Sequence, residues 1–472
     1  MFVPTIIAGM RKILVLAAAL LLAFAALLIS GDPRVDARIK KASRAPMRDG
    51  WIQVHLEGSP ADIGFQHGYL LSAEIQDAVT TISTELKHED NKDWEFYRKT
   101  AREVFWPHVE QQYRDELSGI ADGLKAHKIK LDVWDVVALN AWLELPYYDK
   151  WYDHVKPGVK STADHCSAFV ATGSYTKDGR VVIGHNNWTT YSSGERWNII
   201  FDIAPTAGNR MIMDGMPGLI HSGDDFGVNS AGIIITETTI SEFNSFDPNG
   251  IPEFVRARKA MQYSKSIDDF AGIMRDGNTG GYANNWLVAD RKTNEIASLE
   301  LGLKNTPLLR TKDGFFVGSN FPNDPKLIKE ETSFDVNNAG SSENARHKRW
   351  LQLMKQYKGK IDVAAGQKFL ADHFDAFEGK TDPSERTLCG HVDLSPRGMP
   401  TWQKPYAPCG AVQSKVTSSA AAERMAITAA LGHACGINYK AASHLAKHPE
   451  YAWYKPILHD MDSRPWTPFM AK

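Results

Sequence analysis

The hydropathy pattern divides the chain at about its first third. An unbroken apolar run from Ile13 to Ile29 follows Arg11 and Lys12 and ends at the polar Ser30-Gly31-Asp32-Pro33. A positive flank, an apolar stretch and a polar exit are the pattern of an export signal. A retained anchor needs about 17–25 apolar residues, so the run sits at the lower edge of that range. The flanks favour a cleaved signal over residues 1–31, with an anchor through 13–29 as the alternative. Either way the body of the chain is expected to be exported, periplasmic or secreted. Beyond this segment, Trp51–Leu56 alternates apolar and polar residues as a half-buried strand does. Ser59-Pro60-Ala61-Asp62 then supplies a cap, a first-turn proline and a carboxylate near the positive end of a helix. Ile63, Leu70, Ile75 and Val79 fall on one helical face. Residues 93–145 continue as helix up to Leu145-Pro146, and Tyr152–Asp164, with Pro157 and Gly158, reads as an exposed connector.

The pattern changes at Cys166. Ser167–Thr172 and Arg180–Gly184 are strand-like runs on either side of a turn containing Lys177-Asp178-Gly179. Further strands are expected over 197–203, 232–239 and 286–290, and helical periodicity returns over 342–357 and 362–374. Residues 412–418 and 425–431 pair as a second hairpin, although the alanines between them favour helix by propensity. No internal repeat or low-complexity tract occurs. The pattern is a helical amino-terminal third followed by a sheet-rich remainder.

Composition narrows the class. With 43% hydrophobic and 23% charged residues in 472, the chain is an ordinary globular protein able to bury a sizeable core. Its 54 basic and 56 acidic residues form no basic stripe, which argues against nucleic acid as a partner. The four cysteines, Cys166, Cys389, Cys409 and Cys435, are too few for a disulfide-built scaffold. Cys389 and Cys409 flank a loop-rich stretch and are candidates for a bridge, but spacing does not fix the pairing. C-x-x-C and H-E-x-x-H are both absent, so neither a metal site nor a cofactor is expected. The glycosylation pattern Asn187-Trp188-Thr189 falls among the candidate site residues and is read as accidental.

Cys166 opens a strand directly after the connector, and the return strand brings Gly184-His185-Asn186-Asn187-Trp188 alongside it. Cys166 and His185 are therefore expected on adjacent strands, with the register left open. A cysteine at a chain's own amino terminus carries a built-in base, because the free α-amine, with a pKa of about 7.7–8.0, can take the thiol proton. His185, as a neighbouring cation or donor, would favour the thiolate further. From position alone, however, a lone cysteine is more often a small buried hydrophobe. Glu237 sits within an apolar, threonine-rich strand and is either outward-facing or functional. Asp224 and Asp225 read equally well as turn caps, Lys415 as a solvated edge charge, and Asn284-Asn285 as a loop pair before a strand.

Several of these segments resemble, in the same order, the phospholipase B-like (lamina-ancestor) family. They are Cys166–Val170, Gly184–Trp188, Asp214–Phe226, Thr236–Ile240, Tyr282–Trp286 with Asp290, Ser414–Ser418 and the tail Tyr451–Ile457 running on to Trp466. Gly50-Trp51 and Gly64–Leu70 are similar too, also to the penicillin-acyltransferase-like relatives. The resemblance implies an α+β fold, a four-layer αββα N-terminal-nucleophile (Ntn) hydrolase sandwich with a helical amino-terminal segment. It implies autoproteolysis between His165 and Cys166, leaving 32–165 as a released or retained fragment and 166–472 as the core. Carried over residue by residue, Cys166 matches the nucleophile and His185 the histidine of the adjacent strand. Trp188 stands where bile-salt-hydrolase relatives have aspartate. Asn187 departs from the threonine of many family members, which leaves its role open. Asn284 and Asn285 become candidates for an oxyanion hole and Glu237 a candidate catalytic carboxylate. The expected activity is hydrolysis of an acyl ester or amide, lipid or N-acyl, through a cysteine thioester without metal or cofactor, with membrane-surface contact allowed for. An acyltransferase using an amine acceptor and a non-catalytic envelope or lipid-binding protein are the alternatives. A papain-type protease is disfavoured, since its histidine would lie far downstream and the glutamine-containing surroundings of its cysteine are missing.

Overall fold

The computed structural model describes residues 37–153, 166–399 and 403–472. The apolar run 13–29, most of the expected connector and His165 lie outside the described residues. Among the described residues, no helix is long and apolar enough to cross a membrane.

In chain order the strands are β1 (Ser43–Arg44), β2 (Ile52–Gly58), β3 (Ser167–Thr172), β4 (Val182–Thr190), β5 (Ile199–Pro205), β6 (Met211–Gly215), β7 (Gly227–Asn229), β8 (Ile233–Thr239), β9 (Asn284–Asp290), β10 (Glu295–Leu301), β11 (Leu308–Thr311) and β12 (Gly314–Gly318). A short hairpin, β13 (Phe374–Asp375) and β14 (Lys380–Thr381), precedes β15 (Cys409–Ser418), β16 (Ala426–Leu431) and β17 (Thr467–Met470). They form a nine-stranded sheet, β1-β2-β5-β6-β7-β8-β9-β10-β11, and a six-stranded sheet, β12-β3-β4-β15-β16-β17. The fold is α+β.

Alternation along the strands assigns each face. Ala168, Val170 and Ile183 of the smaller sheet meet Ile200, Ile212, Ile234, Leu287 and Ala289 of the larger one in a single buried cluster. The intervening residues of the larger sheet, among them Phe201, Met213, Ile235 and Trp286, pack instead with helix residues such as Ile75, Leu117 and Phe254. On the far side of the smaller sheet, Phe169, Val182 and Val416 pack with Trp350, Leu353 and Phe369 from the helices Ser342–Gln356 and Val363–Leu370. Both sheets are thus apolar on two faces, which explains the near-continuous burial of β3, β4 and β8.

The helix start at Ser59 forms as expected. Ser59 Oγ accepts from the Asp62 N–H, the Asp62 carboxylate caps Ser59 in return, and Pro60 occupies the first turn. The helix breaks at Leu71 and resumes over Ser72–Asp90, so the expected single face is shared by two helices. Pro60–Leu70 crosses Gln111–Ala126 at Gly64, Gly68, Gly119 and Gly123; a Cβ on Gly64 would stand 1.9 Å from the Glu116 carbonyl oxygen. The amino-terminal third is not a purely helical unit. Its β2 pairs in parallel with β5 inside the larger sheet, and the carboxy-terminal β17 closes one edge of the smaller one.

Candidate active site

Strands β3 and β4 form the expected hairpin, with Ala168 opposite His185 and Ser167 opposite Asn186. The two-residue repeat of a strand puts Cys166 on the face of Ala168, and so of His185, toward the larger sheet. Cys166 is wholly buried, and its sulfur, a ring nitrogen of His185 and a carboxylate oxygen of Glu237 all lie within 4.8 Å of one another. Cys166 immediately precedes β3, His185 lies on β4 and Glu237 on β8, and the sequence picked out all three.

Two further residues hold Cys166 and were missed. Its backbone N–H donates to Asn320 Oδ1 at 3.1 Å. Asn320 follows β12 in the left-handed region (φ 64°) and is fixed there by its own amide donating to the Thr239 carbonyl at 2.9 Å. The Arg346 guanidinium donates to the Cys166 carbonyl, to Ser167 Oγ at 3.2 Å and to Asn320 Oδ1 at 2.9 Å. Burial pulls Arg346 down to about 10, opposed by Glu343 and Cys166, so it remains a cation at neutral pH. His185 does not supply the positive charge. Burial, and then the nearby Lys415 ammonium, hold its imidazole well below the usual range and therefore neutral.

Glu237 faces the interior, which removes the outward-facing reading. Tyr282 donates its hydroxyl to Oε1 at 3.1 Å, and the Asn284 amide, oriented with nitrogen toward acceptors, donates to Oε2 at 2.9 Å. The asparagine pair separates here. Asn284 joins Glu237, while Asn285 Oδ1 accepts from Ser298 Oγ at 2.6 Å. Trp188 lies two registers beyond Asn186 on the outer face of β4, away from the His185 face. Its ring stacks beneath the Arg346 guanidinium at 4.5 Å. Asn187 is 1% exposed in mid-strand, so its glycosylation pattern is blocked by the fold.

The expectation for Lys415 is corrected. It is buried directly opposite His185 on β15, donating to Asp214 at 3.1 Å and pairing closely with Asp224. Burial alone would depress its ammonium, but the two carboxylates more than offset this and raise it. Burial, and then the charge of Asp214, push Asp224 well up, as befits two acids sharing one ammonium. Gln413 Nε2 donates to Asp214 at 2.7 Å, and Ser222 Oγ donates to both aspartates. Asp224 is therefore a member of a buried ionic network rather than a turn cap, and it stands 3.7 Å from His185 Nδ1. Asp225, also buried, lies in the left-handed region (φ 54°). The candidate Cys389–Cys409 bridge is not made, and none of the four cysteines is in a disulfide.

The family model for phospholipase B matches residues 69–364, well over half of the chain. The chain belongs to the phospholipase B family. Human phospholipase B-like 1 is 24% identical over 392 residues, covering 71% of this chain and 69% of the relative. An uncharacterised protein of Archaeoglobus fulgidus is 28% identical over 53% of this chain, and putative phospholipase B-like 2 of Rattus norvegicus is 30% identical over 29%. The chain spans only 43% and 26% of the lengths of those last two relatives. A variant of conjugated bile acid hydrolase from Clostridium perfringens overlaps 57% of this chain and 82% of its own at 11% identity, with a TM-score of 0.27, too slight to argue from. Within this phospholipase B family member, the ordered segments singled out in the sequence supply Cys166, His185, Glu237, Asn284, Asp224 and Lys415. Asn320 and Arg346 lie outside those segments.

Proposed function

We propose that this protein is an exported Ntn hydrolase of the four-layer αββα class, activated by cleavage before Cys166, that hydrolyses an acyl ester or amide. The observation that carries this reading is the set of partners at the start of β3. The nitrogen of Cys166 rests on Asn320 Oδ1, and the thiol shares a 4.8 Å space with His185 and Glu237. In the activating step, the thiol attacks the carbonyl carbon of residue 165. The C–S bond forms, the C–N bond breaks, and the departing nitrogen takes the thiol proton; water then hydrolyses the thioester. Cys166 is left with a free α-amine, which Asn320 is placed to orient and which serves as the proton acceptor.

In turnover the thiolate attacks the acyl carbonyl, with the Arg346 cation favouring thiolate over thiol. Asn284, steered by Glu237, exchanges its bond to the Ala283 carbonyl for one to the developing oxyanion, a contribution of about 2.7–4 kcal/mol when one such donor is lost. The neutral His185 imidazole polarises the site without competing for its charge. The amine returns its proton to the leaving group, and water resolves the thioester. The amino-terminal segment stays docked after cleavage, because β2 pairs in parallel along the length of β5 and the helices that follow it pack on the larger sheet.

The test offers purified protein phosphatidylcholine vesicles and an N-acyl amino acid separately and follows fatty-acid release. Release from at least one substrate, lost in Cys166→Ala, is expected. Equal release by Cys166→Ala would remove the reading, and acylated amine formed with an added amine would move it to acyl transfer.

A further inference from the structure

Away from Cys166, the buried Cys389 and the half-buried Cys435 gather with histidines in a second place. The geometry points to a structural zinc site formed by His373, Cys389, His391 and Cys435. One donor atom from each of the four lies within 4.8 Å of the other three. His391 Nε2 stands 3.7 Å from Cys389 Sγ and 3.5 Å from Cys435 Sγ. Zinc–sulfur bonds of about 2.3 Å and zinc–nitrogen bonds of about 2.0–2.1 Å at tetrahedral angles put a sulfur and a nitrogen about 3.6 Å apart, so both separations already match. His373 Nε2 is sealed from solvent without a hydrogen-bond partner, and its ring meets that of His391 edge-on, 5.1 Å between centroids.

The surroundings are those of a ligating histidine. Nδ1 of His391, the nitrogen turned away from the thiols, faces Asp393 Oδ1 at 3.7 Å, and Asp393 is held by the Tyr191 hydroxyl at 2.6 Å. His433 stacks on His391 at 4.0 Å and accepts or donates at the same Tyr191 hydroxyl. The negative charge on that side of the ring favours the tautomer with its proton on Nδ1, which presents Nε2 forward as a ligand. Two thiols and two imidazoles are a zinc donor set. On binding Zn²⁺ the thiols release two protons, and two thiolates neutralise the ion, so a buried site holds no net charge. Four protein ligands leave no open position, which makes the site structural rather than catalytic.

The benefit lies in what the ligands tie together. Cys389 and His391 belong to an irregular stretch laid against the outer face of β4. Asn186 Nδ2 donates to the Leu388 carbonyl at 2.8 Å, and a Cβ on Gly390 would stand 2.2 Å from the Trp188 ring. The Ala411 N–H donates to the Gly390 carbonyl at 3.0 Å. His373 and Cys435 come from two other segments. A metal crosslink among them would hold the loop that backs Trp188, independently of whether Cys166 is a nucleophile.

The experiment measures metal in full-length protein purified without chelator, using mass spectrometry of bound elements, and then replaces the metal with Co²⁺ under reducing conditions. About one zinc per chain is expected, with the thiolate-to-cobalt charge transfer and intense d–d bands of a tetrahedral sulfur–nitrogen site after exchange. Cys435→Ala and His373→Ala should lose stoichiometric metal, while Cys409→Ala, outside the cluster, should keep it. Because the cobalt spectrum is read on the wild-type protein, unstable variants do not spoil the test. Reduced protein that takes up neither Zn²⁺ nor Co²⁺, or a Cys389–Cys435 disulfide with no metal bound after its reduction, would overturn the assignment.

Discussion

Strand β4 has two unlike faces. Toward the larger sheet it carries His185 among Cys166, Asp224 and Lys415, a set of ionisable groups drawn from separate strands and loops. On the outer face it carries Asn186 and Trp188, neutral groups that grip the carbonyls of Leu370 and Leu388 and back onto Gly390. In the proposed mechanism, the inner face arranges charge where a carbonyl would be attacked. The outer face holds irregular chain in place. Changes on the inner face should therefore act on chemistry and on buried charge, and a change at Asn186 on the outer face on stability alone.

The sharpest division comes from Lys415→Met. It strands Asp214 and Asp224 in the interior without their cation and should cost about 3–5 kcal/mol of unfolding free energy, read from denaturant midpoints. A loss within the range of a surface substitution would mean that the network is not the frame of the inner face. Asn284→Ala should lower kcat by about 10²–10³-fold with little change in denaturant midpoint, and Asn285→Ala, bonded to Ser298, should lower it far less. Equal losses from both would erase the distinction drawn between them. On the outer face, Asn186→Ala leaves two buried carbonyls unpaired and should cost about 1–3 kcal/mol while leaving kcat of the surviving folded protein unchanged.

The smallest effect tests the end of the strand. Glu85, from the helix Ser72–Asp90, accepts from Thr190 Oγ1 at 2.9 Å and from the Ser192 hydroxyl. Burial pushes it up to about 7, against those hydrogen bonds. Its folded form thus binds more protons than its unfolded form between about pH 4.5 and 7, so its contribution to stability falls as pH rises through that window. Glu85→Gln should match wild type near pH 5 and be the more stable by about 1–2 kcal/mol near pH 8. Parallel pH profiles for the two proteins would contradict this.

The inner face was legible where it is local. The alternation of Ser167–Thr172 and the return through His185 need only one turn, so Cys166 and His185 could be paired from sequence. Glu237 stood out because a carboxylate in an apolar strand has few explanations. Asn320 and Arg346 could not be found this way, since they reach Cys166 from 154 and 180 positions away and neither lies in a distinctive pattern. Lys415 was misread for the same reason. Its counter-charges are 201 and 191 residues distant, and an isolated lysine in Ser-Lys-Val-Thr looks solvated. Trp188 was placed with the site because it stands where bile-salt-hydrolase relatives have aspartate, whereas strand alternation sends its ring to the face opposite His185. The clustered thiols of Cys389 and Cys435 escaped the C-x-x-C spacing because three separate segments converge there.

The account rests on Cys166 acquiring a free amine. Intact-mass analysis of purified wild type beside Cys166→Ala addresses this directly. Two fragments that separate on denaturation, one of them beginning at Cys166, should be found in the wild type alone, with Cys166→Ala remaining a single chain. An active wild-type protein that stays unbroken between residues 165 and 166 would contradict the account.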